Sequence, residues 1–181
     1  LQQALVPVLA ALAYAASEVR ASFGTDVSEE LDFLERVHGF VILPTGPFLV
    51  DTTSVGYLKK VDEKRLAAAA ALVARAVEAA SLSKFANRAL TALAVDTPIG
   101  AVVIGGPGSD TYAAGHLAER GAFVLELGGD DTYEVPIGVG RREVPVGVFV
   151  DLGGKDRYGY EISADSLDKA TRPPSDSAGR Y

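Results

Sequence analysis

Three aspartates recur in copies of one short phrase, Gly-x-Asp-x-Tyr, and their type and spacing suit them to binding a cation. The copies are Gly108-Ser109-Asp110-Thr111-Tyr112, Gly129-Asp130-Asp131-Thr132-Tyr133 and Gly154-Lys155-Asp156-Arg157-Tyr158. The aspartates stand at positions 110, 131 and 156, so they recur after 21 and 25 residues. Carboxylate oxygens are the donors that hard cations such as Ca²⁺ take in proteins. Asp110, Asp131 and Asp156 are therefore candidate metal ligands.

A strongly apolar run precedes each copy, and such a run followed by glycines predicts a short buried strand. The runs cover residues 101–104, 123–127 and 148–152. A repeat period of about 20 to 25 residues is typical of stacked units. We therefore expect a short β-solenoid-like region in which the aspartates line up. The tyrosines should stack as a ladder that could bind a partner, and they are Tyr112, Tyr133 and Tyr158.

Two interpretations of the aspartates remain open. Carboxylates stacked roughly 5 Å apart repel one another unless a cation, a backbone N–H or a basic group lies between them. In the first interpretation each aspartate accepts hydrogen bonds from its own turn, and Lys155 and Arg157 relieve the last copy. In the second, the aspartates and turn carbonyls bind Ca²⁺, which takes six to eight oxygen ligands.

The residues around the first copy resemble the calcium-binding nonapeptide of the RTX family, Gly-Gly-x-Gly-x-Asp-x-hydrophobic-x. They read Gly105-Gly106-Pro107-Gly108-Ser109-Asp110-Thr111-Tyr112-Ala113. The resemblance implies that Gly106, Gly108 and Asp110 supply calcium ligands and their turn. The other two copies match the motif in part. RTX units follow one another in direct tandem, whereas here the copies are separated and Lys155 stands inside the third.

Composition excludes several classes of function. The net charge is −7, with 11 acids against 9 bases in residues 1–96 and 13 against 8 in residues 97–181. An acidic repeat region is unsuited to nucleic acid, because affinity for phosphates depends on Lys and Arg. The chain has no cysteine, which excludes disulfides and thiolate metal sites. No nucleophile, dinucleotide or phosphate-loop motif is present, so we assign no catalytic residue.

The predicted fold is α+β, with N-terminal Ala-rich helices capping the short β-solenoid-like repeat region. Residues 1–95 form a mainly helical part with a short β segment near 40–52, residues 96–162 the glycine-rich β repeat region, and residues 163–181 a polar Pro/Ser-rich tail. Asp62 is placed to cap an Ala-rich helix. The apolar run Ala4–Ala16 is shorter than the about 20 residues that cross a bilayer, so we interpret it as a packed helix.

These features favour a non-enzymatic structural or adhesive module of a larger exported or cell-surface assembly, stabilised by Ca²⁺ at its acidic turns. Protein partners or a homo-oligomer are expected, without nucleic acid and without a transmembrane segment. The alternative is a hydrolase, such as a peptidase, with an acidic, metal-dependent site at the three aspartates. A third option is a subunit whose tyrosine ladder binds a glycan or a protein.

Overall fold

The computed structural model of the chain describes residues 1–23, 59–140 and 143–159. The predicted β segment near 40–52 and the predicted tail at 163–181 lie outside the described residues. All helices and strands given below belong to one compact unit, which combines Leu1–Thr25 with Asp62–Tyr160. The division at residues 95 and 96 stays a prediction.

Two helices pack against each other in this unit. Helix α1 is Gln2–Ser22 and helix α2 is Glu63–Ala80. Asp62 caps α2 by accepting a hydrogen bond from the Arg65 backbone N–H at 3.0 Å, which satisfies one of the free donors at a helix start. Apolar side chains at helical spacing on α1 are buried together with Ala69 and Val73 of α2. The side chains of α1 are Leu5, Val8, Leu12 and Ala15.

Helix α1 also has the length and composition of a membrane span, with a mean hydropathy of 1.4. It is 21 residues long, which is longer than the apolar run that the sequence shows. One third (33%) of its most apolar window is buried inside the protein. Signal sequences and core helices share this composition, so the helix by itself identifies no membrane or export function.

The strands form two small sheets. The strand bounds are β1 Leu93–Thr97, β2 Gly100–Ile104, β3 Thr111–Tyr112, β4 Gly121–Glu126, β5 Thr132–Tyr133, β6 Val148–Asp151 and β7 Arg157–Tyr158. The larger sheet has the order β1-β2-β4-β6 and the smaller the order β3-β5-β7. Strand β1 is antiparallel to β2, and the other neighbours are parallel.

The β-solenoid-like arrangement, and with it the RTX-type arrangement, is wrong. The α+β class with an N-terminal helix and small sheets is confirmed, but the main sheet is mixed and neither sheet is closed or solenoid-like. The first strand of the main sheet comes from a hairpin at residues 93–104 that includes no copy of the repeat. Each copy contributes only a two-residue strand to the smaller sheet. Such short strands do not build the wall of a coil.

The main sheet separates two apolar clusters. Alternate side chains of a strand point to opposite faces, so Val102 and Phe123 pack with the helices. Val103 and Val124 pack on the other face with Tyr112 of the smaller sheet. By the same alternation, the side chain of Glu126, two residues beyond Val124 at the end of β4, points toward the smaller sheet.

Candidate metal site

Glu126, the last residue of β4, occupies a space left by a glycine. The backbone N–H of Gly105 donates to the Leu125 carbonyl at 2.8 Å, which brings the backbone of Gly105 next to β4. A Cβ atom on Gly105 would overlap the carboxylate of Glu126. On its other side Glu126 pairs with Asp151 of β6. The absence of a side chain at Gly105 therefore allows a carboxylate to lie inside the protein.

Asp110, Glu126 and Asp131 form an acidic group, hereafter the first triad. Each supplies a carboxylate oxygen that lies within 4.8 Å of the other two. Glu126 is 0% exposed and Asp131 is 1% exposed, whereas Asp110 is half-buried. Among the described residues, no hydrogen-bond partner is found for the two carboxylate oxygens of Glu126 or for the Oδ2 of Asp131. Buried charge without a partner is costly, so the triad requires a proton or a cation.

Asp131 also belongs to a second triad with Asp151 and Asp156, whose oxygens again lie within 4.8 Å of one another. The backbone N–H of Asp131 donates to Asp156 Oδ1 at 2.9 Å. In the same way the N–H of Asp110 donates to Asp131 Oδ1 at 2.7 Å. The donors to Asp131 and Asp156 thus come from the preceding copy, and not from the turn of the accepting aspartate. Both triads could hold a metal ion.

Asp151 differs from Glu126 because both of its oxygens have donors. The hydroxyls of Tyr133 and Tyr158 donate to its Oδ2 at 3.2 and 3.3 Å, and the Gly153 N–H donates to its Oδ1 at 3.0 Å. Burial, followed by the charge of Asp151, raises the pKa of Tyr133 and raises that of Tyr158 to about 12. Both hydroxyls therefore stay protonated donors at neutral pH.

Burial also raises the pKa of the Glu126 carboxyl from 4.5 to about 8. The negative charges of Asp131, Asp110 and Asp151 add to the rise. The Leu127 backbone N–H opposes it only in part, and it lies outside hydrogen-bond geometry for either oxygen. Ion pairs between described residues join Arg65 to Glu18 and Asp62, and Arg120 to Asp96. None of these ion pairs reaches the triads, so among the described residues no basic side chain neutralises them within ion-pair distance.

The three tyrosines of the copies stack on one another. The Tyr112 and Tyr133 rings are 5.2 Å apart and the Tyr133 and Tyr158 rings 4.8 Å apart, with planes 8° and 14° from parallel. Tyr112 and Tyr133 are buried, while Tyr158 is 58% exposed. Partner binding by these rings stays a prediction, and among the three only Tyr158 offers a large accessible face.

A cavity of about 170 Å³ lies beside the first triad. Its lining includes Gly105, Asp110, Tyr112 and His116. The Nδ1 atom of His116 accepts a hydrogen bond from the Ala118 backbone N–H at 3.1 Å, which leaves the Nε2 atom without that constraint. Asp110 is the member of the first triad that connects it to this cavity.

No family model, curated protein or solved structure matches this chain. The site must therefore be interpreted from its own geometry. Asp110 and Asp131, both predicted as ligands, lie together in the first triad, and Asp156 lies in the second. Gly106 is buried and Gly108 exposed, and their predicted role as ligands stays a prediction.

Glu126 and Asp151 were not predicted as ligands, although the repeat contains a signal for them. Glu126 stands five residues before Asp131, and Asp151 five residues before Asp156. Each acid is followed by Leu-Gly-Gly, and the equivalent position of the first copy is Gly105. The longer phrase acid-Leu-Gly-Gly-x-Asp-x-Tyr thus occurs twice, and the first copy has Gly105 at the position of the acid.

Replacing Gly105 by Ala is expected to lower the free energy of unfolding by about 1 to 3 kcal/mol, because the new Cβ overlaps a buried carboxylate that has little room to move. Chemical denaturation measures the change. In a Glu126→Ala background the same substitution should cost less by about 0.5 kcal/mol or more. Gly108→Ala is the control, since nothing lies within 4 Å of its added Cβ. Equal costs in both backgrounds would contradict this assignment.

Replacing Tyr133 by Phe is expected to cost about 1 to 2 kcal/mol, because it removes a buried donor to Asp151. Tyr158→Phe removes the matching donor from an exposed ring, where water replaces it, so its cost should be smaller. Urea denaturation of the two variants provides the comparison. A larger loss for Tyr158→Phe would show that the buried hydroxyl is not the stronger contact.

Proposed function

We propose that this chain is a non-enzymatic structural or adhesive module, stabilised by Ca²⁺ bound in the first triad, within a larger exported or cell-surface assembly. The supporting observation is Glu126, a fully buried carboxylate with no donor to either oxygen among the described residues. It lies beside two further carboxylates, Asp110 and Asp131. A divalent cation there would neutralise charge that the protein otherwise leaves unpaired.

The chemistry of the donors favours Ca²⁺ over other common divalent ions. All side-chain donors of the first triad are carboxylate oxygens, which suit Mg²⁺, Ca²⁺ and Mn²⁺ rather than zinc or copper. Mg²⁺ usually keeps several of its waters in protein sites, whereas Ca²⁺ accepts more protein oxygens in a flexible geometry. Glu126 and Asp131 are closed to solvent, so they leave little room for a hydrated ion.

The first triad suits the cation better than the second. In the second triad Asp151 has donors to both of its oxygens and Asp156 has one. A cation at Asp151 would have to compete with two tyrosine hydroxyls for Oδ2. In the first triad it would instead meet oxygens that have no competing donor among the described residues.

A structural role is favoured over the hydrolase alternative by the burial of the carboxylates. A catalytic acid or base must come within hydrogen-bond distance of the substrate, but Glu126 and Asp131 are closed to solvent.

Exposed apolar side chains support the assembly part of the proposal. Leu93 and Val95 of strand β1 are 49% and 45% exposed, and Tyr158 ends the tyrosine stack. These surfaces suit a protein partner.

Thermal unfolding with Ca²⁺, with Mg²⁺ and with EGTA tests the proposal. Calcium at 100 times its dissociation constant should add about 2.7 kcal/mol to the free energy of unfolding, and Mg²⁺ at the same concentration should add less. A melting temperature that does not respond to millimolar Ca²⁺ would refute the cation site. A hydrolytic activity that Asp131→Asn abolishes in folded protein would refute the non-enzymatic role.

A further inference from the structure

We infer that the cation of the first triad holds a neutral ligand with two adjacent hydroxyl groups, such as a sugar ring, in the cavity beside Asp110. The inference rests on the proposed cation site and adds a ligand class to it. It makes the cation part of a recognition surface in addition to its structural role.

The first triad does not complete the coordination of Ca²⁺. Glu126 and Asp110 offer two oxygens each, and Asp131 offers its Oδ2, because its Oδ1 already accepts the Asp110 N–H. That gives five carboxylate oxygens at most, whereas Ca²⁺ takes six to eight. One or more further oxygens must therefore come from a backbone carbonyl, from water or from a ligand.

The cavity gives these further oxygens a way in. Glu126 and Asp131 are buried, and Asp110 is the half-buried member of the triad that also lines the cavity. Gly105, whose missing side chain makes room for Glu126, lines it as well. A ligand in the cavity can thus approach the cation from the side of Asp110.

Charge decides between an anionic and a neutral ligand. The two triads share Asp131, so together they contain five carboxylates, Asp110, Glu126, Asp131, Asp151 and Asp156. With all five ionised, one divalent cation leaves a formal charge of three negative. A ligand carboxylate or phosphate would meet this excess negative charge at short range. Hydroxyl oxygens add no charge, and two adjacent hydroxyls can bind one Ca²⁺ together.

The other walls of the cavity suit a small polyhydroxylated ring. At about 170 Å³ the cavity is smaller than the roughly 300 to 1,000 Å³ typical of drug-sized ligands, so it fits a single ring. Ala94 and Val103, paired across β1 and β2, supply apolar surface, and His116 supplies a polar group. Because His116 Nδ1 accepts the Ala118 N–H, the neutral imidazole carries its proton on Nε2, which can donate to a hydroxyl.

Isothermal titration calorimetry of the full chain with methyl α-mannopyranoside and methyl β-galactopyranoside tests the inference. At least one glycoside should bind in Ca²⁺, and binding should weaken about tenfold or more, which is about 1.4 kcal/mol, in EGTA. Cyclohexanol, with one hydroxyl, and sodium acetate, a carboxylate, should not bind. Ala94→Leu should reduce glycoside binding about tenfold by filling the cavity, while Ala89→Leu, exposed and outside the lining, should not.

The outcomes separate the inference from the proposed function. If Ca²⁺ raises the melting temperature and no glycoside binds, the cation site stands and the recognition of hydroxyls is wrong. Glycoside binding that persists in EGTA, or in Ala94→Leu with an intact Ca²⁺ response, also overturns the inference. Binding of acetate in place of the glycosides would overturn the charge argument. If Ca²⁺ itself has no effect, both the inference and the cation site are refuted.

Discussion

Replacing Glu126 by Gln is expected to raise the melting temperature of the cation-free protein at pH 8 and to abolish its response to Ca²⁺. Both effects follow from one property, a buried carboxylate whose pKa is raised to about 8. The amide has nearly the same shape, carries no charge, and can donate to the neighbouring oxygens of Asp110 and Asp131. The gain should be on the order of 4 kcal/mol, or roughly 10 °C for a chain of this size.

This substitution is informative because it should raise the melting temperature without Ca²⁺ and at the same time remove the further rise that Ca²⁺ causes. A variant that merely damaged the fold would lower the melting temperature with and without Ca²⁺. Glu134→Gln is the matched control, because Glu134 is exposed and lies eight residues further along the chain. It should leave both the cation-free stability and the Ca²⁺ response unchanged within about 0.5 kcal/mol. If Glu126→Gln keeps the Ca²⁺ response, Glu126 is not a ligand.

The sequence was sufficient to predict which residues lie in register but not the architecture around them. The repeat places Asp110, Asp131 and Asp156 at equivalent positions, and the structure pairs the residues after them as Thr111, Thr132 and Arg157. The period itself does not distinguish a closed coil from two open sheets. That distinction depends on hairpin β1–β2, whose antiparallel pairing lies outside the repeat.

The candidate site was predicted in part for a similar reason. Aspartates in glycine-rich turns have a recognisable pattern, so two members of the first triad were found. Glu126 was not, because the acid five residues before the aspartate recurs in only two of the three copies and the first copy has Gly105 there. Its role depends on Gly105, which is 21 residues away in sequence and adjacent in space. Only the pairing of β2 with β4 brings the two together.

In EGTA, the free energy of unfolding of the unmodified chain is expected to fall as the pH rises from about 4.5 to 8. The native state keeps a proton on Glu126 up to a pKa of about 8, whereas the unfolded chain loses it near the ordinary value of 4.5. The native state therefore binds more protons in this window, and its stability decreases with rising pH. Because a tenfold difference in proton affinity between the two states corresponds to about 1.4 kcal/mol, the loss at pH 8 is on the order of 4 kcal/mol.

Calcium should offset this loss, because a cation at the first triad replaces the proton and stabilises the ionised carboxylate. The Ca²⁺-induced rise in melting temperature should therefore be larger at pH 8 than at pH 5, where protons compete for the same oxygens. Burial also raises the pKa of Asp131, which acts in the same direction. Melting curves at both pH values, with Ca²⁺ and with EGTA, measure the effect, and Glu126→Gln should flatten the pH dependence. A stability in EGTA that rises across this window would show that Glu126 is not the buried acid that the geometry describes.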